Sequence, residues 1–197
     1  MLSRGSLSFC VASAAALVVR YSRARSVRAL SSALQISSTI RLNTGEQMPN
    51  FGLGTWLSRD SGCASAVNRA LELGYRAVDT ATMYENEAEI GEALEAYRNN
   101  SANANKVFLT TKLASGGHGD YDHVAESLRI SLNNLRVKEL DLWLMHSPRG
   151  GRVVETYSAM CRLSTEGAGV KSIGVSNFGV GQLEGLRKAG LPTPAVR

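Results

Sequence analysis

From residue 39 onward, short apolar runs alternate with longer amphipathic segments. The apolar runs cover residues 51–55, 77–79, 107–111, 140–145 and 170–175. In the segments between them, apolar side chains recur at helical spacing, as Val124, Leu128, Leu132 and Leu135 do. Strands that alternate with helices over short links predict a parallel sheet, and therefore an α/β fold.

A small β-hairpin is predicted ahead of this series. Residues 39–41 and 46–48 flank a turn at residues 43–45, whose Asn and Gly are typical of tight turns. Pro49 is expected to end the second strand, because proline has no backbone N–H to contribute to pairing.

Polar residues at the ends of the apolar runs decide between two parallel-sheet folds. Asp79, Lys112 and His146 lie at or just past the C-terminal ends of three runs, and Ser176 and Asn177 follow another. In a (β/α)8 barrel those ends converge on one mouth, where active sites form. A doubly wound sheet more often carries a glycine-rich phosphate loop after its first strand, a pattern that residues 52–56 lack.

We therefore predict a fold of the (β/α)8 TIM-barrel type, preceded by the hairpin. A complete barrel needs eight strands and about 250 residues. The pattern supplies about five of the eight β/α units, and residues 193–196 resemble the beginning of a sixth strand. The barrel domain is placed at residues 38–197.

Charge is distributed unevenly along the 197 residues. Residues 1–45 contain six arginines and no acidic residue, although the whole chain has a net charge of only +5. The remaining residues therefore carry a net charge of −1. A nucleic-acid-binding surface needs a basic patch on the folded domain, so we expect no nucleic-acid partner.

Residues 1–37 are predicted to be a disordered targeting segment. Their Arg, Ser and Ala content is typical of a transit peptide for an organelle, a mitochondrion or a plastid. The apolar run at residues 9–19 also resembles the core of a secretory signal, so a secretory or bipartite leader remains open. That run is too short to span a bilayer, and we expect no stable membrane insertion.

The three cysteines of the chain, Cys10, Cys63 and Cys161, lack the spacing of a metal site or a disulfide framework. His118 and His123 have no carboxylate pattern around them. We therefore predict no metal site.

A carboxylate, a phenol, an ammonium and an imidazole occur near successive strand ends, at Asp79, Tyr84, Lys112 and His146. A cation beside a phenol stabilises the phenolate and so eases release of the proton. A lysine at such a place needs an anionic partner, which Asp79 can supply. His146 can orient a substrate carbonyl by a hydrogen bond. Each residue also has a structural interpretation, but together they favour proton transfer to a carbonyl group.

These residues stand in motifs that resemble those of the aldo-keto reductases. The motifs are at residues 52–56, 74–87, 111–112, 145–148 and 173–178, and the resemblance extends from about Ser38 to Val196. It implies a (β/α)8 barrel that binds NADP(H) and reduces a small-molecule aldehyde or ketone. It also implies a catalytic set of Asp79, Tyr84, Lys112 and His146, in which Tyr84 donates the proton.

The resemblance implies binding residues as well. Those for the cofactor are Gly54, Thr55, Trp56, Asp79, Ser176 and Asn177, and those for the substrate are Trp56, Tyr84 and His146. Members of the family continue past Val196 with segments that stack on the nicotinamide, bind the phosphates and select substrates. The alternatives are thus a truncated, catalytically impaired isoform, an incomplete gene model or a regulatory scaffold. The oligomeric state stays open, and the exposed edges of a partial barrel offer surfaces for association.

Overall fold

The computed structural model describes residues 38–100 and 106–197. The predicted targeting segment, residues 1–37, lies outside the described residues, so the leader and its destination remain predictions. An antiparallel hairpin begins the described chain, formed by β1 (Thr39–Arg41) and β2 (Gln47–Pro49). Pro49 is the last residue of β2 rather than a residue beyond it, and it pairs with Thr39.

A parallel sheet of five strands follows: β3 (Leu53–Gly54), β4 (Ala77–Asp79), β5 (Phe108–Leu113), β6 (Leu140–Met145) and β7 (Val170–Val175). A helix comes after each strand: α1 (Asp60–Glu72), α2 (Glu87–Asn99), α3 (Tyr121–Asn134), α4 (Val153–Thr165) and α5 (Val180–Lys188). The predicted α/β alternation is confirmed.

The strands lie side by side in the order in which they occur along the chain. A doubly wound sheet reverses its strand order at a switch point, whereas a barrel adds each strand to the same side. This sheet never reverses, which confirms the TIM-barrel type and its five β/α units. Within the described residues β3 does not pair with β7, so the sheet remains open between its first and last strands.

The central strands β5 and β6 are buried on both faces, as is typical of parallel sheets. Strand β6 directs Trp143 and Met145 into the main core, where they pack with side chains of the surrounding helices. Leu142 and Leu144 of the same strand belong to a second, smaller cluster with Phe108. This second cluster is the partial interior of the barrel.

The hairpin covers the N-terminal end of the sheet. Leu42, between β1 and β2, joins the inner cluster, and the hydroxyls of Thr44 and Ser172 are 2.7 Å apart. The C-terminal ends of the strands are therefore left free at the opposite edge.

The predicted start of a sixth strand is present as two backbone hydrogen bonds to β7. Ala195 N–H donates to the carbonyl of Ile173 at 2.8 Å, and Val175 N–H donates to that of Val196 at 2.9 Å. Gly174 permits this approach, because a Cβ there would lie 2.5 Å from the Val196 oxygen. None of the helices in residues 38–100 and 106–197 is long and apolar enough to span a membrane.

Close contact between α2 and the end of α3 depends on Gly91. A Cβ at this position would overlap the backbone oxygen of Asn134 and lie 2.9 Å from the carbonyl carbon of Leu135. Because both neighbours are backbone atoms, Gly91→Ala is expected to lower the free energy of unfolding by about 1–3 kcal/mol or more. Urea unfolding followed by tryptophan fluorescence measures this loss.

Gly185→Ala is the matched control, since a Cβ there would meet nothing within 4 Å and the site lies inside α5. There the exchange should stabilise the protein by about 0.5–1 kcal/mol, because alanine loses less backbone entropy in a helix. Equal effects at the two positions would contradict the close packing at Gly91.

Candidate active site

The C-terminal edge of the sheet brings the predicted catalytic residues together. Asp79 is the last residue of β4, and His146 directly follows β6. Lys112 lies inside β5, one residue before its end, rather than after the strand as the apolar pattern indicated. Tyr84 closes a 3₁₀ turn, Thr82–Tyr84, that follows β4.

The ammonium of Lys112 is the centre of this group. The side chain is 8% exposed, and its Nζ lies 2.5 Å from Oδ1 of Asp79, 2.8 Å from the carbonyl oxygen of Thr80 and 3.4 Å from the hydroxyl of Tyr84. An ammonium has three N–H donors, so three partners use all of them. An unpaired charge in this position would be costly, and Asp79 supplies the counter-charge that the sequence predicted.

The hydroxyl oxygen of Tyr84 is the acceptor in its contact with the Lys112 ammonium. Because the ammonium donates to the phenolic oxygen, the hydrogen of the Tyr84 hydroxyl is left to point elsewhere. The ring of His146 stands edge-on to the Tyr84 ring, with centroids 5.6 Å apart. The Trp56 ring lies on another side at 6.3 Å, tilted by 30°. The phenol is thus confined on several sides.

The environment of His146 favours the neutral form of its imidazole. Burial first, and the charge of Lys112 second, lower the pKa of the imidazole, while the charge of Asp79 opposes them. The Nδ1 atom is buried and has no hydrogen-bond partner among the described residues. A proton there would be an orphan donor, so the neutral ring is expected to carry its proton on Nε2.

The three residues of the first loop take up different positions. Trp56 is 68% exposed and lies at the rim of the site. Thr55 is buried, and its hydroxyl donates to the carbonyl of Asp79 at 3.0 Å. Gly54 pairs with Asp79 across β3 and β4 and faces open space.

Ser176 and Asn177 follow β7. Asn177 has a φ of 60°, a left-handed conformation that asparagine tolerates better than most residues. Its Nδ2 donates to the carbonyl of His146 at 2.8 Å and to the hydroxyl of Ser176 at 3.0 Å. Its Oδ1 accepts no hydrogen bond from the described residues, so an amide oxygen is available at this edge.

Asn86 is a supporting residue that sequence reasoning missed. It is buried at the N-cap position of α2, yet its side chain does not cap the helix. Instead Nδ2 donates to the carbonyls of Thr55 and Ser58, and Oδ1 accepts from the Thr80 hydroxyl at 2.7 Å. This amide ties the loop of Trp56 to the segment that follows Asp79.

Glu87 supports Lys112 from the helix side and was missed as well. The carboxyl is buried and accepts from the hydroxyl of Thr111 at 2.6 Å and from that of Ser131 at 3.2 Å. Burial raises the pKa of Glu87, although these hydrogen bonds oppose the rise. In addition, the Thr82 hydroxyl donates to the carbonyl of Lys112 at 3.0 Å, which joins the Tyr84 turn to β5.

A cavity of about 410 Å³ opens beside His146. Its lining consists of Met83, Ser115, His146, Ser147, Pro148, Arg149 and Asn177. The part of the chain that the structure describes contains no group of three His, Cys, Asp or Glu side chains placed to hold a metal ion.

The titration of His146 should respond in opposite directions to loss of its two charged neighbours. Lys112→Met removes a positive charge and should raise the pKa of His146, whereas Asp79→Asn removes a negative charge and should lower it. NMR titration of the imidazole protons measures both shifts. His118 and His123 serve as internal references, and shifts of the same sign in both variants would contradict this electrostatic description.

Glu87 should make stability fall as the pH rises. A carboxyl with a raised pKa keeps its proton in the folded state at a pH where the unfolded chain, with a glutamate pKa of about 4.3, has released it. Glu87→Gln should therefore reduce the loss of unfolding free energy with rising pH, as measured by urea unfolding across a pH series.

Glu126→Gln provides a control of opposite sign, because Arg129 lowers the pKa of that exposed carboxyl. Glu126 contributes to the free energy of unfolding, and this contribution is lost as the pH falls through the lowered pKa. Glu126→Gln should therefore reduce the rise of the unfolding free energy with rising pH. A Glu87→Gln variant with the wild-type slope would show that the buried carboxyl is not linked to folding.

Comparison with known proteins supports the family resemblance that the sequence motifs indicated. The model of the aldo/keto reductase family matches residues 50–197. Methylglyoxal reductase DkgA of Escherichia coli (strain K12) is 38% identical over 161 residues, which cover 81% of this chain and 56% of that protein. The chain thus spans little more than half the length of this relative.

Solved structures of aldo-keto reductases also superpose on this chain. An aldo/keto reductase from Brucella melitensis superposes with a TM-score of 0.72 at 38% identity, over 81% of this chain and 62% of that one. An aldo-keto reductase of Bombyx mori, solved in complex with NADP, superposes with a TM-score of 0.71 at 31% identity, over 81% and 57%. The chain belongs to the aldo/keto reductase family.

Proposed function

We propose that this chain carries the site of a carbonyl reductase, which converts aldehydes or ketones to alcohols with NADP(H) and uses Tyr84 as the proton donor. One observation carries the proposal. The buried ammonium of Lys112 is held by Asp79 and approaches the Tyr84 hydroxyl at 3.4 Å, while His146 faces the same phenol.

The proton is delivered by this chain's own side chains. The neutral imidazole of His146 donates a hydrogen bond from Nε2 to the substrate carbonyl oxygen and orients it. The Tyr84 hydroxyl then transfers its proton to that oxygen. The phenolate that remains is stabilised by the adjacent Lys112 ammonium, and solvent later returns the proton. Asp79 acts through Lys112, because it keeps the ammonium charged and in place.

The residues present fit the nicotinamide end of a dinucleotide. Asn177 offers an unused amide oxygen and Ser176 a hydroxyl beside His146, a pair suited to the carboxamide. Gly54 leaves open space opposite Asp79, and Trp56 adds an exposed aromatic face. When bound, the cofactor supplies the hydride that reaches the carbonyl carbon. The NADP complex of the Bombyx mori relative supports this assignment.

Tyr84→Phe is expected to lower kcat by about 10²- to 10⁴-fold, because it removes the general acid and leaves the ring in place. The measurement is the loss of NADPH absorbance with an aldehyde substrate. Tyr75→Phe is the matched control, since its hydroxyl makes no hydrogen bond within the described residues and it lies away from the site. Turnover unchanged in Tyr84→Phe would exclude the proton-donor role.

Cofactor binding is tested separately from turnover. Titration of NADPH into the 197-residue chain, followed by nicotinamide fluorescence, should saturate for the wild type and for Tyr84→Phe alike. Binding that never saturates in a folded protein would contradict the reductase proposal for this chain and favour a regulatory scaffold.

A further inference from the structure

We infer that Arg149 forms an anion-binding subsite in the cavity beside His146, so that the preferred substrates are carbonyl compounds that also carry a carboxylate. The carbonyl part of this inference rests on the proposed function. The anion-binding part rests on the charge and geometry of the cavity alone.

The charge of Arg149 is not compensated. Six arginines in the described chain form ion pairs with glutamates: Arg69, Arg129, Arg136, Arg152, Arg162 and Arg187. The guanidinium of Arg149 makes no ion pair and no side-chain hydrogen bond with the described residues, although Arg152, three positions later, is held by Glu155 at 2.6 Å. An unpaired guanidinium retains its full capacity to bind an anion.

No acidic side chain of the described residues lines the cavity. Among its seven lining residues, Arg149 is the only one with a charged side chain, because His146 is neutral and no acidic residue is present. The hydroxyls of Ser115 and Ser147 line the same space, 3.3 Å apart, so one donates to the other and one O–H remains free to donate to an anion. A guanidinium beside a free hydroxyl donor is complementary to a carboxylate, which accepts two parallel hydrogen bonds from a guanidinium.

The backbone that carries Arg149 is held firmly. Arg149 lies in a 3₁₀ turn, Pro148–Gly150, whose N-cap residue Ser147 accepts from the Arg149 N–H at 3.4 Å. The turn packs so closely on the loop after β5 that a Cβ at Gly150 would lie 2.5 Å from the carbonyl oxygen of Ser115. Nδ1 of His118 lies 2.8 Å from the carbonyl of Gly151.

This rigidity matters for specificity. An arginine on a fixed turn loses less freedom when it binds than one on a mobile loop. Since His146 lines the same cavity, one molecule can present its carbonyl to the imidazole and its carboxylate to Arg149.

The test uses two aldehydes of similar shape, of which only the first is charged: 4-carboxybenzaldehyde and its methyl ester. The wild-type chain should prefer the acid, and rising salt should reduce this preference by screening the charges. Arg149→Gln should lower the ratio of kcat/KM for the acid to that for the ester by about tenfold, mainly through KM. Arg152→Gln, which removes a paired guanidinium outside the cavity, should leave the ratio unchanged.

A second measurement does not depend on turnover. Calorimetric titration with 4-(hydroxymethyl)benzoate should show binding to the wild type that Arg149→Gln weakens by about tenfold and Arg152→Gln does not. A chain that reduces neither aldehyde but shows this binding would refute the proposed function and support the anion subsite.

Other results overturn the inference. Equal losses for acid and ester in Arg149→Gln would mean that the arginine only maintains the shape of the turn. An unchanged ratio together with unchanged benzoate binding would mean that the cavity has no anion subsite.

Discussion

The buried ammonium of Lys112 is the interaction on which the site depends. A positive charge that is almost removed from water must have a full set of acceptors, and three neighbouring groups provide them at the end of β4 and in the turn beyond. The pairing of β4 with β5 places Asp79 opposite Thr110, so the carboxylate comes within reach of Lys112 two residues further along β5. The position of the Tyr84 phenol is thus a consequence of satisfying this charge.

The Asp79–Lys112 pair lies at the boundary between core and solvent. The carboxylate of Asp79 is 45% exposed, whereas the lysine side chain is only 8% exposed. Water therefore solvates the anion but not the cation, and the ammonium relies on protein acceptors. The third contact of the ammonium, to the Tyr84 hydroxyl, is the longest of the three. A phenolate at Tyr84 would be a stronger acceptor for Lys112 than the neutral phenol, so the ammonium favours loss of the Tyr84 proton.

A layer of buried polar residues links this site to the packing of the helices. Asn86 satisfies two loop carbonyls and one hydroxyl, while Glu87 fixes Thr111 directly before Lys112. Both belong to the first turn of α2 or to its cap, so the docking of that helix and the geometry of the site are not independent. The close approach of Gly91 to the end of α3 keeps α2 in the required position.

Apolar patterning predicted the bounds of three strands in which apolar residues predominate, and it was less successful where buried polar residues stand at or beyond the end of a run. The bounds 77–79, 140–145 and 170–175 agree with the structure. The end of β5 was placed at residue 111 rather than 113, because Lys112 has the polarity of a loop residue and its partners come from other elements. Asn86 and Glu87 were missed for the same reason. In a sequence, a buried polar residue with distant partners has the same appearance as an exposed one.

The electrostatic balance of the site determines what the neighbouring cavity can recognise. Lys112 and Asp79 cancel each other at short range, and His146 is neutral because burial and Lys112 disfavour its charged form. The group formed by these three side chains therefore has little net charge. The potential inside the cavity then depends mainly on Arg149, the one charged side chain in its lining. The proposed proton donor and the proposed anion subsite are thus separate residues, so that substitution of Arg149 leaves the Asp79–Lys112 pair undisturbed.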